Sequence, residues 1–352
     1  MAWYAIASLT PAAILAVACL LGGGWAWGAL ATMTVAIAGL DRLTRVVLPA
    51  RAGDGAAVAV LLGLVHFVLL FLGVRALSGA VPLTGAQMVA LTAALGSFFG
   101  QVSNSDAHEL IHARNRWRVR LGTAVYVSLL FGHHVSAHLR VHHPHVATPR
   151  DPNSARAGEG FYRFWARAWA GSFREGWRAE TRLRQGRGLH PYAVYGGGAL
   201  ATLAAASLVG GWRGVAALGV LALWAQTQLL LADYVQHYGL CRETRADGSA
   251  EPVGAAHSWN AAPWFSGAMM LNAPRHSDHH LNPARPFPAL RIDTPGLPML
   301  PAGIPAMAML ATVPPLWRRV MARRLAALAR VEVNQRLSEQ VRNSADSGKV
   351  NT

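Results

Sequence analysis

Apolar residues along this chain come in long blocks, not at the alternating or three-and-four spacing of half-buried elements. Six blocks stand out: Ala5–Leu21, Trp25–Leu40, Ala56–Val74, Leu83–Val102, Ala193–Val209 and Val215–Ala232. Runs near 18 or more apolar residues have the length to cross hydrocarbon, where a helix satisfies its own backbone. Gly22-Gly23-Gly24 and Gly210-Gly211 separate the first pair and the last pair, which predicts two helical hairpins with little between their arms. Ala5–Leu21 lacks a basic leading region and is followed at once by a second apolar run, so it is expected to stay as a membrane segment. The expected fold class is all-α: a polytopic membrane protein of about six transmembrane helices.

The polar stretches divide the rest. Residues 1–102 carry four predicted spans, 103–192 a polar segment, 193–233 the second hairpin, 234–340 a loop-rich segment, and 341–352 a tail expected to be disordered. In the first polar segment Trp117, Trp165, Trp169 and Trp177 stand among arginines, a mixture that suits helices lying at a membrane interface. Ala302–Trp317 is interrupted by Pro305, Pro314 and Pro315 and does not read as a seventh span. Arg318–Arg336 mixes Ala, Leu and Arg at helical spacing, as a surface helix does.

Charge refines the topology. The formal net charge is +15, with 53% hydrophobic and 14% charged residues. A basic balance can mark nucleic-acid binding, but here the arginines flank apolar runs and no basic stripe is interleaved with exposed aromatics, so no nucleic-acid partner is expected. Arg42, Arg45 and Arg51 lie between the second and third blocks, whereas the opposite turns show only Arg75 and Arg213. The positive-inside bias therefore puts both termini on the cytoplasmic side. The two cysteines, Cys19 and Cys241, form neither a disulfide framework nor a Cys-x-x-Cys site, so an iron–sulfur electron carrier would have to be a separate protein.

The candidate chemistry is histidine. Of 15 histidines, eight lie between positions 108 and 145. They include His108-Glu109-Leu110-Ile111-His112 and His138-Leu139-Arg140-Val141-His142-His143, answered downstream by His276-Ser277-Asp278-His279-His280. Spacings of three and four place such residues on one helical face, and imidazole suits Zn, Fe, Cu and Ni. By the topology above, every cluster falls on the cytoplasmic side. The first motif alone matches the His-Glu-x-x-His of zinc proteases, with Glu as general base, but a protease would leave the other clusters idle. Eight imidazoles in three boxes exceed the roughly four ligands of a zinc site, so two metal ions are the economical explanation. Isolated histidines such as His66 and His190 read as structural.

These motifs together resemble the AlkB-type integral-membrane alkane 1-monooxygenases, part of the membrane di-iron desaturase and hydroxylase superfamily. Tyr234-Val235-Gln236-His237-Tyr238-Gly239-Leu240, His257-Ser258-Trp259-Asn260, Ala147-Thr148-Pro149-Arg150-Asp151-Pro152 and Gly296-Leu297-Pro298 are similar to further family segments, over about Asn104 to Arg324. The resemblance implies nine metal ligands: His108, His112, His138, His142, His143, His237, His276, His279 and His280. His237 enters by the resemblance, not by spacing. The chain departs from the family pattern at Ala137 and Gln236, where glutamates are usual, at Val141 and at Ala273-Pro274. Gln236 can still accept a hydrogen bond from a ligand; Ala137 cannot.

The resemblance further implies two iron ions in a cytoplasmic histidine-rich cap, in a bacterial inner membrane, with O2 as co-substrate. The expected reaction is RH + O2 + two electrons + two protons giving ROH + H2O, with R a medium-length hydrocarbon chain drawn from the membrane lipids' interior. Electrons would come from a rubredoxin or ferredoxin with an NAD(P)H-dependent reductase. Arg114, Arg116, Arg118, Arg120, Arg163, Arg167, Arg174 and Arg178 are placed to attract an acidic carrier. Glu109 and Asp278 are the candidate carboxylates for orienting a ligand or relaying protons, and Phe67, Phe71, Phe98 and Phe99 with His66 could line a substrate path. An acyl-lipid desaturase or hydroxylase, and a membrane metal-binding or transport protein, are the alternatives.

Overall fold

The computed structural model describes residues 1–43, 47, 49–292 and 296–330. Arg45, the end of the predicted 318–336 helix and the 341–352 tail lie outside the described residues. Among the described residues the secondary structure is helical, with two isolated bridges, Thr244 to Ala250 and Asn260 to Met299.

Helix α1 (Ala2–Leu21) turns at Gly22 and Gly23, both at positive φ near +60°, into α2 (Gly24–Ala31). A π-turn at Thr32–Ala36 continues α2 into α3 (Ile37–Leu43). Only glycine adopts that left-handed turn without strain, which is why the hairpin forms where the Gly run interrupts the apolar pattern. Helix α4 (Ala56–Arg75) is followed by α5 (Gly85–Phe98), started by a capping box between Thr84 and Gln87. Through a π-turn at Phe99–Ser103, α5 runs on as α6 (Asn104–Ile111), and α7 (Arg116–Ser128) follows, capped by Asn115. Short α8 (His133–Ala137) passes through a π-turn at His138–His142 into α9 (His143–His145).

Helix α10 (Phe161–Arg184) buries Phe161, Phe164, Ala168, Ser172, Gly176 and Glu180, at spacings of three and four, and leaves Arg163, Arg174 and Arg178 exposed. It is an amphipathic helix packed over the histidine-bearing α8. Helix α11 (Pro191–His237) is broken at Gly210 and Gly211. There it folds back, so that Gly214 comes against the Ala206 carbonyl. The C-terminal region adds α12 (Trp264–Met269), α13 (His276–Leu281), α14 (Ile304–Ala311) and a helix over 314–330. The last is more than a surface helix: Trp317 and Met321 are fully buried, with Trp317 against Tyr234 and Tyr238.

All six apolar blocks are helical. Among the described residues three helices, Ala2–Leu21, Ala56–Ala80 and the folded-back Pro191–His237, are long and apolar enough to cross a membrane. The polar region docks on the apolar one through specific contacts. Asp41 Oδ1 accepts from Ser266 N at 2.9 Å, and Asn272 donates to Tyr4 Oη at 2.7 Å. Two helices, α5–α6 and α11, run from an apolar block straight into the histidine region.

Candidate metal centre

Each histidine cluster is placed by a different local device. On α6, His108 and His112 share a face at i and i+4. His138 and His143 instead meet across the π-turn, whose repeat brings i and i+5 together. His237 is the last residue of α11. His276, His279 and His280 sit on α13, six residues long and too short to be stable alone. Asn260, fully buried, holds that helix. Its Oδ1 accepts from Ser277 N at 3.0 Å, and its Nδ2 donates to Ser277 Oγ at 2.7 Å and the Pro298 carbonyl at 3.2 Å.

The structure brings all nine imidazoles together, in two adjoining groups: His108, His112, His138, His143 and His279, then His142, His237, His276 and His280. Within each group the nearest ring nitrogens all lie within 4.8 Å of one another. The adjacent pairs His142-His143 and His279-His280 are each divided between the groups, which abut where the His143 and His280 rings come 4.8 Å apart. The shared face that i,i+4 spacing suggests for His138 and His142 is not kept, because the π-turn sends His142 to the second group.

In the first group the Nε2 atoms of His112, His138 and His143 form a triangle with edges of 3.0, 3.1 and 2.9 Å, and His279 Nε2 is 3.2 Å from that of His143. In the second, His276 Nε2 is 3.0 Å from that of His237 and 3.1 Å from that of His280. Three mutually touching ring nitrogens cannot all pair as linear N–H···N bonds, because each carries one hydrogen or one lone pair along one axis. The buried Nε2 atoms of His108 and His142, one in each group, have no hydrogen-bond partner among the described residues. A central cation relieves both conditions. With nitrogen about 2.1 Å from a metal, donors at right angles stand roughly 3.0 Å apart. The donor set therefore fits a pair of imidazole-bound cations.

Electrostatics agree. Burial first, and the neighbouring imidazoles second, hold His108, His138, His143, His276, His279 and His280 well toward the neutral form that ligates metal; His112 is lowered to about 4 by burial and by His142. His142 differs. Burial lowers its pKa, but the charge and hydrogen bond of Asp151, together with the Asp233 carboxylate, outweigh burial and leave it raised, and Asp151 itself is held below the usual carboxylate range. Asp151 Oδ2 accepts from His142 Nδ1 at 2.8 Å and from Ser154 Oγ at 2.7 Å. With Nδ1–H held by Asp151, it is His142 Nε2 that faces the group, and in the neutral ring that atom carries the lone pair.

The two carboxylates singled out from the sequence are engaged elsewhere. Glu109, pushed up to about 7 by burial, accepts from Phe287 N at 3.3 Å. Asp278 is tied to Arg285, to Asn282 Nδ2 at 2.9 Å and to Arg291 N at 2.8 Å. Both brace the loop after α13, because that loop supplies the nearest donors. Asp151 is the carboxylate that sequence reasoning misses, although it lies within the family-like segment Ala147–Pro152; nothing in a separation of nine residues from His142 signals contact. Gln236 donates its amide to the Ala273 carbonyl at 3.1 Å, so two of the departures from the family pattern touch each other. His133 packs among Phe131, Trp169 and Phe173, outside both groups. His66 meets Ser128 Oγ at 2.9 Å and the Phe67 and Phe99 rings.

Comparison with known proteins bears on this arrangement. The fatty acid desaturase family model matches residues 82–302, a stretch that holds all nine histidines. Alkane 1-monooxygenase of Pseudomonas putida is 36% identical over 69% of this chain and 61% of its own length. Alkane 1-monooxygenase 1 of Pseudomonas aeruginosa is 35% identical over 72% of this chain and 68% of its own. The xylene/toluene monooxygenase hydroxylase component XylM of Pseudomonas putida is 26% identical over 62% and 58%. The chain thus spans about three-fifths to two-thirds of the length of these alkane relatives. With two imidazole groups able to hold metal, and with relatives that are monooxygenases, this membrane protein belongs to the fatty acid desaturase family of metalloenzymes and, within it, to the alkane 1-monooxygenases.

Proposed function

We propose that the chain is a membrane-bound monooxygenase that hydroxylates the terminal carbon of medium-chain alkanes or alkyl chains, with two non-haem iron ions held by the nine histidines. The observation that carries the reading is the division of those imidazoles into groups of five and four whose donor atoms are spaced for metal. Iron bound there supplies the redox chemistry with O2 that breaking an unactivated C–H bond requires and no side-chain acid or base provides.

The residues of the chain do the rest. His108, His112, His138, His143 and His279 hold one ion, and His142, His237, His276 and His280 the other. Asp151 fixes the His142 ring. A hydrocarbon dissolved in the bilayer would reach the site without crossing water. The helix that carries Phe98, Phe99 and Val102, all buried, continues to His108, roughly 14 Å from Phe99 along its axis. Burial of the site excludes competing water. Glu109 and Asp278 act by bracing the α13 loop; a proton-relay role for Glu109 would require it to leave Phe287.

The proposed layout keeps six spans, in residues 1–102 and 193–233, in a bacterial inner membrane. Residues 103–192 and 234–340 form the cytoplasmic cap, both termini are cytoplasmic, and Arg42 and Arg51 mark the inner side against Arg75 and Arg213. Electrons come from a separate rubredoxin or ferredoxin and its NAD(P)H-dependent reductase.

Metal analysis of purified protein, combined with product identification from an octane feed under a reconstituted electron supply, tests the reading. About two irons per chain and octan-1-ol are expected. One zinc per chain would overturn it in favour of hydrolysis, and an alkene product from an acyl-lipid feed in favour of a desaturase.

A further inference from the structure

Midway along α4, a helix apolar enough to cross a membrane, His66 is fully buried. An ionisable side chain in such a span is costly to keep and calls for a partner or a function. The Nε2 side of the ring is satisfied. Ser128 Oγ stands 2.9 Å from His66 Nε2 and gives its only hydrogen to the Val125 carbonyl at 2.8 Å. The hydroxyl can therefore only accept from the ring, which fixes the imidazole proton on Nε2 and leaves a lone pair on Nδ1. That Nδ1 is buried and has no hydrogen-bond partner among the described residues. The Phe67 and Phe99 rings meet the imidazole edge to face, with centroids at 5.2 and 5.1 Å, and bring no N–H or O–H to it.

An acceptor fixed in apolar surroundings has lost its water without replacement, so a ligand that brings one donor gains a full hydrogen bond there. A buried water makes about three hydrogen bonds, and one free acceptor beside two phenyl rings leaves most of them unmade. A primary alcohol matches the place better. It has one O–H to give, and its alkyl chain belongs among apolar side chains. Phe99 also opens the π-turn through which α5 passes into α6, and His108 follows roughly 14 Å further along that axis. His66 thus stands beside the helix that leads from an apolar block to the imidazole groups.

We propose that His66 Nδ1 is a hydroxyl seat, accepting the O–H of a medium-chain primary alcohol whose chain lies in the bundle among α4, α5 and α7. Ser128 is the positioning residue that holds the ring in the accepting tautomer. The seat is separate from the metal centre and needs no turnover. The monooxygenase reading enters only in naming the alcohol as the reaction's product, held on its way back to the bilayer. An alkane has no hydrogen to donate, so the seat takes product and passes substrate by.

The test is equilibrium retention of radiolabelled octan-1-ol by the whole iron-loaded chain in nanodiscs, corrected for empty nanodiscs. Its isomer 1-methoxyheptane, which has an oxygen but no O–H, is measured beside it. Wild type is expected to hold the alcohol about tenfold more tightly than the ether, the worth of one hydrogen bond to a buried acceptor. His66→Phe keeps an aromatic ring and removes the acceptor. With iron content equal to wild type, it should bring the alcohol down to the affinity of the ether and leave octane binding within about twofold of wild type. An octan-1-ol carrying a diazirine at its second carbon gives a readout that needs no variant. Crosslinks are expected on α4, α5 or α7, around Phe67, Phe99 and Ser128. Crosslinks confined to α13 and the histidine-bearing turns would put the hydroxyl at the metal and overturn the proposal. Equal retention of alcohol and ether by wild type, as a seat filled by water would give, overturns it as well, and so does undiminished alcohol binding by His66→Phe. Failure to hydroxylate octane beside intact, His66-dependent alcohol binding would remove the product role and leave the seat standing.

Discussion

His138 Nε2 and His143 Nε2 lie 2.9 Å apart, although the two residues are separated by five positions and not the four of an α-helical face. The π-turn over His138–His142 makes the contact and frees His142 to join the other group. A wider turn at a site of this kind is a local cost accepted for ligand placement.

Because the groups are distinct, single substitutions should remove metal one ion at a time. His112→Ala removes a donor from the group of five, and His280→Ala from the group of four. Each variant is expected to retain about one iron per chain in elemental analysis, against about two in wild type. His142→Ala should empty the second group. Full occupancy in His280→Ala would show that the four histidines do not form a site of their own.

The Asp151–His142 pair predicts a graded effect. Asp151→Asn keeps the size of the side chain but loses the charge that favours one orientation of the ring, and Asp151→Ala loses the bond altogether. Chelator competition should report metal affinity lowered about 10- to 100-fold in the alanine variant, with the asparagine variant between it and wild type. Equal affinity in all three proteins would deny Asp151 a positioning role.

Asn260 anchors α13, which carries ligands of both groups. Asn260→Ala leaves the Ser277 N–H without its acceptor, at a cost of about 1–3 kcal/mol for a buried unsatisfied group. In contrast to His280→Ala, it should lower iron at both sites together, seen as a proportional fall in total iron and a lower thermal-unfolding midpoint.

The fold-back of α11 can be checked at glycine. A Cβ on Gly214 would overlap the Ala206 carbonyl oxygen, whereas one on Gly219 meets nothing within 4 Å. Gly214→Ala should destabilise by about 1–3 kcal/mol through overpacking. Gly219→Ala should leave the midpoint unchanged or raise it, by about 0.5–1 kcal/mol for an added helix former. Equal midpoints for the two variants would contradict a tight hairpin at Gly210–Gly211.

The order of residue types alone carries the helical class, the apolar blocks and the glycine hairpins. Long apolar runs and glycine at positive φ are local properties that owe little to distant neighbours. It also names the available imidazoles, since spacings of three and four repeat in three places and resemblance adds His237. How those imidazoles divide is a matter of packing between distant segments. The π-turn at His138–His142 leaves no mark in a string of residue types, and the separation of His142 from His143 depends on what α13 and α11 bring to meet them. The same holds for the carboxylates. Glu109 and Asp278 lie next to histidines in the chain, yet the α13 loop claims them. Asp151, nine residues beyond His142, reaches the ring because the chain after α9 folds back under it. Periodicity is written along the chain, but the partner of a buried polar group is chosen by packing in three dimensions.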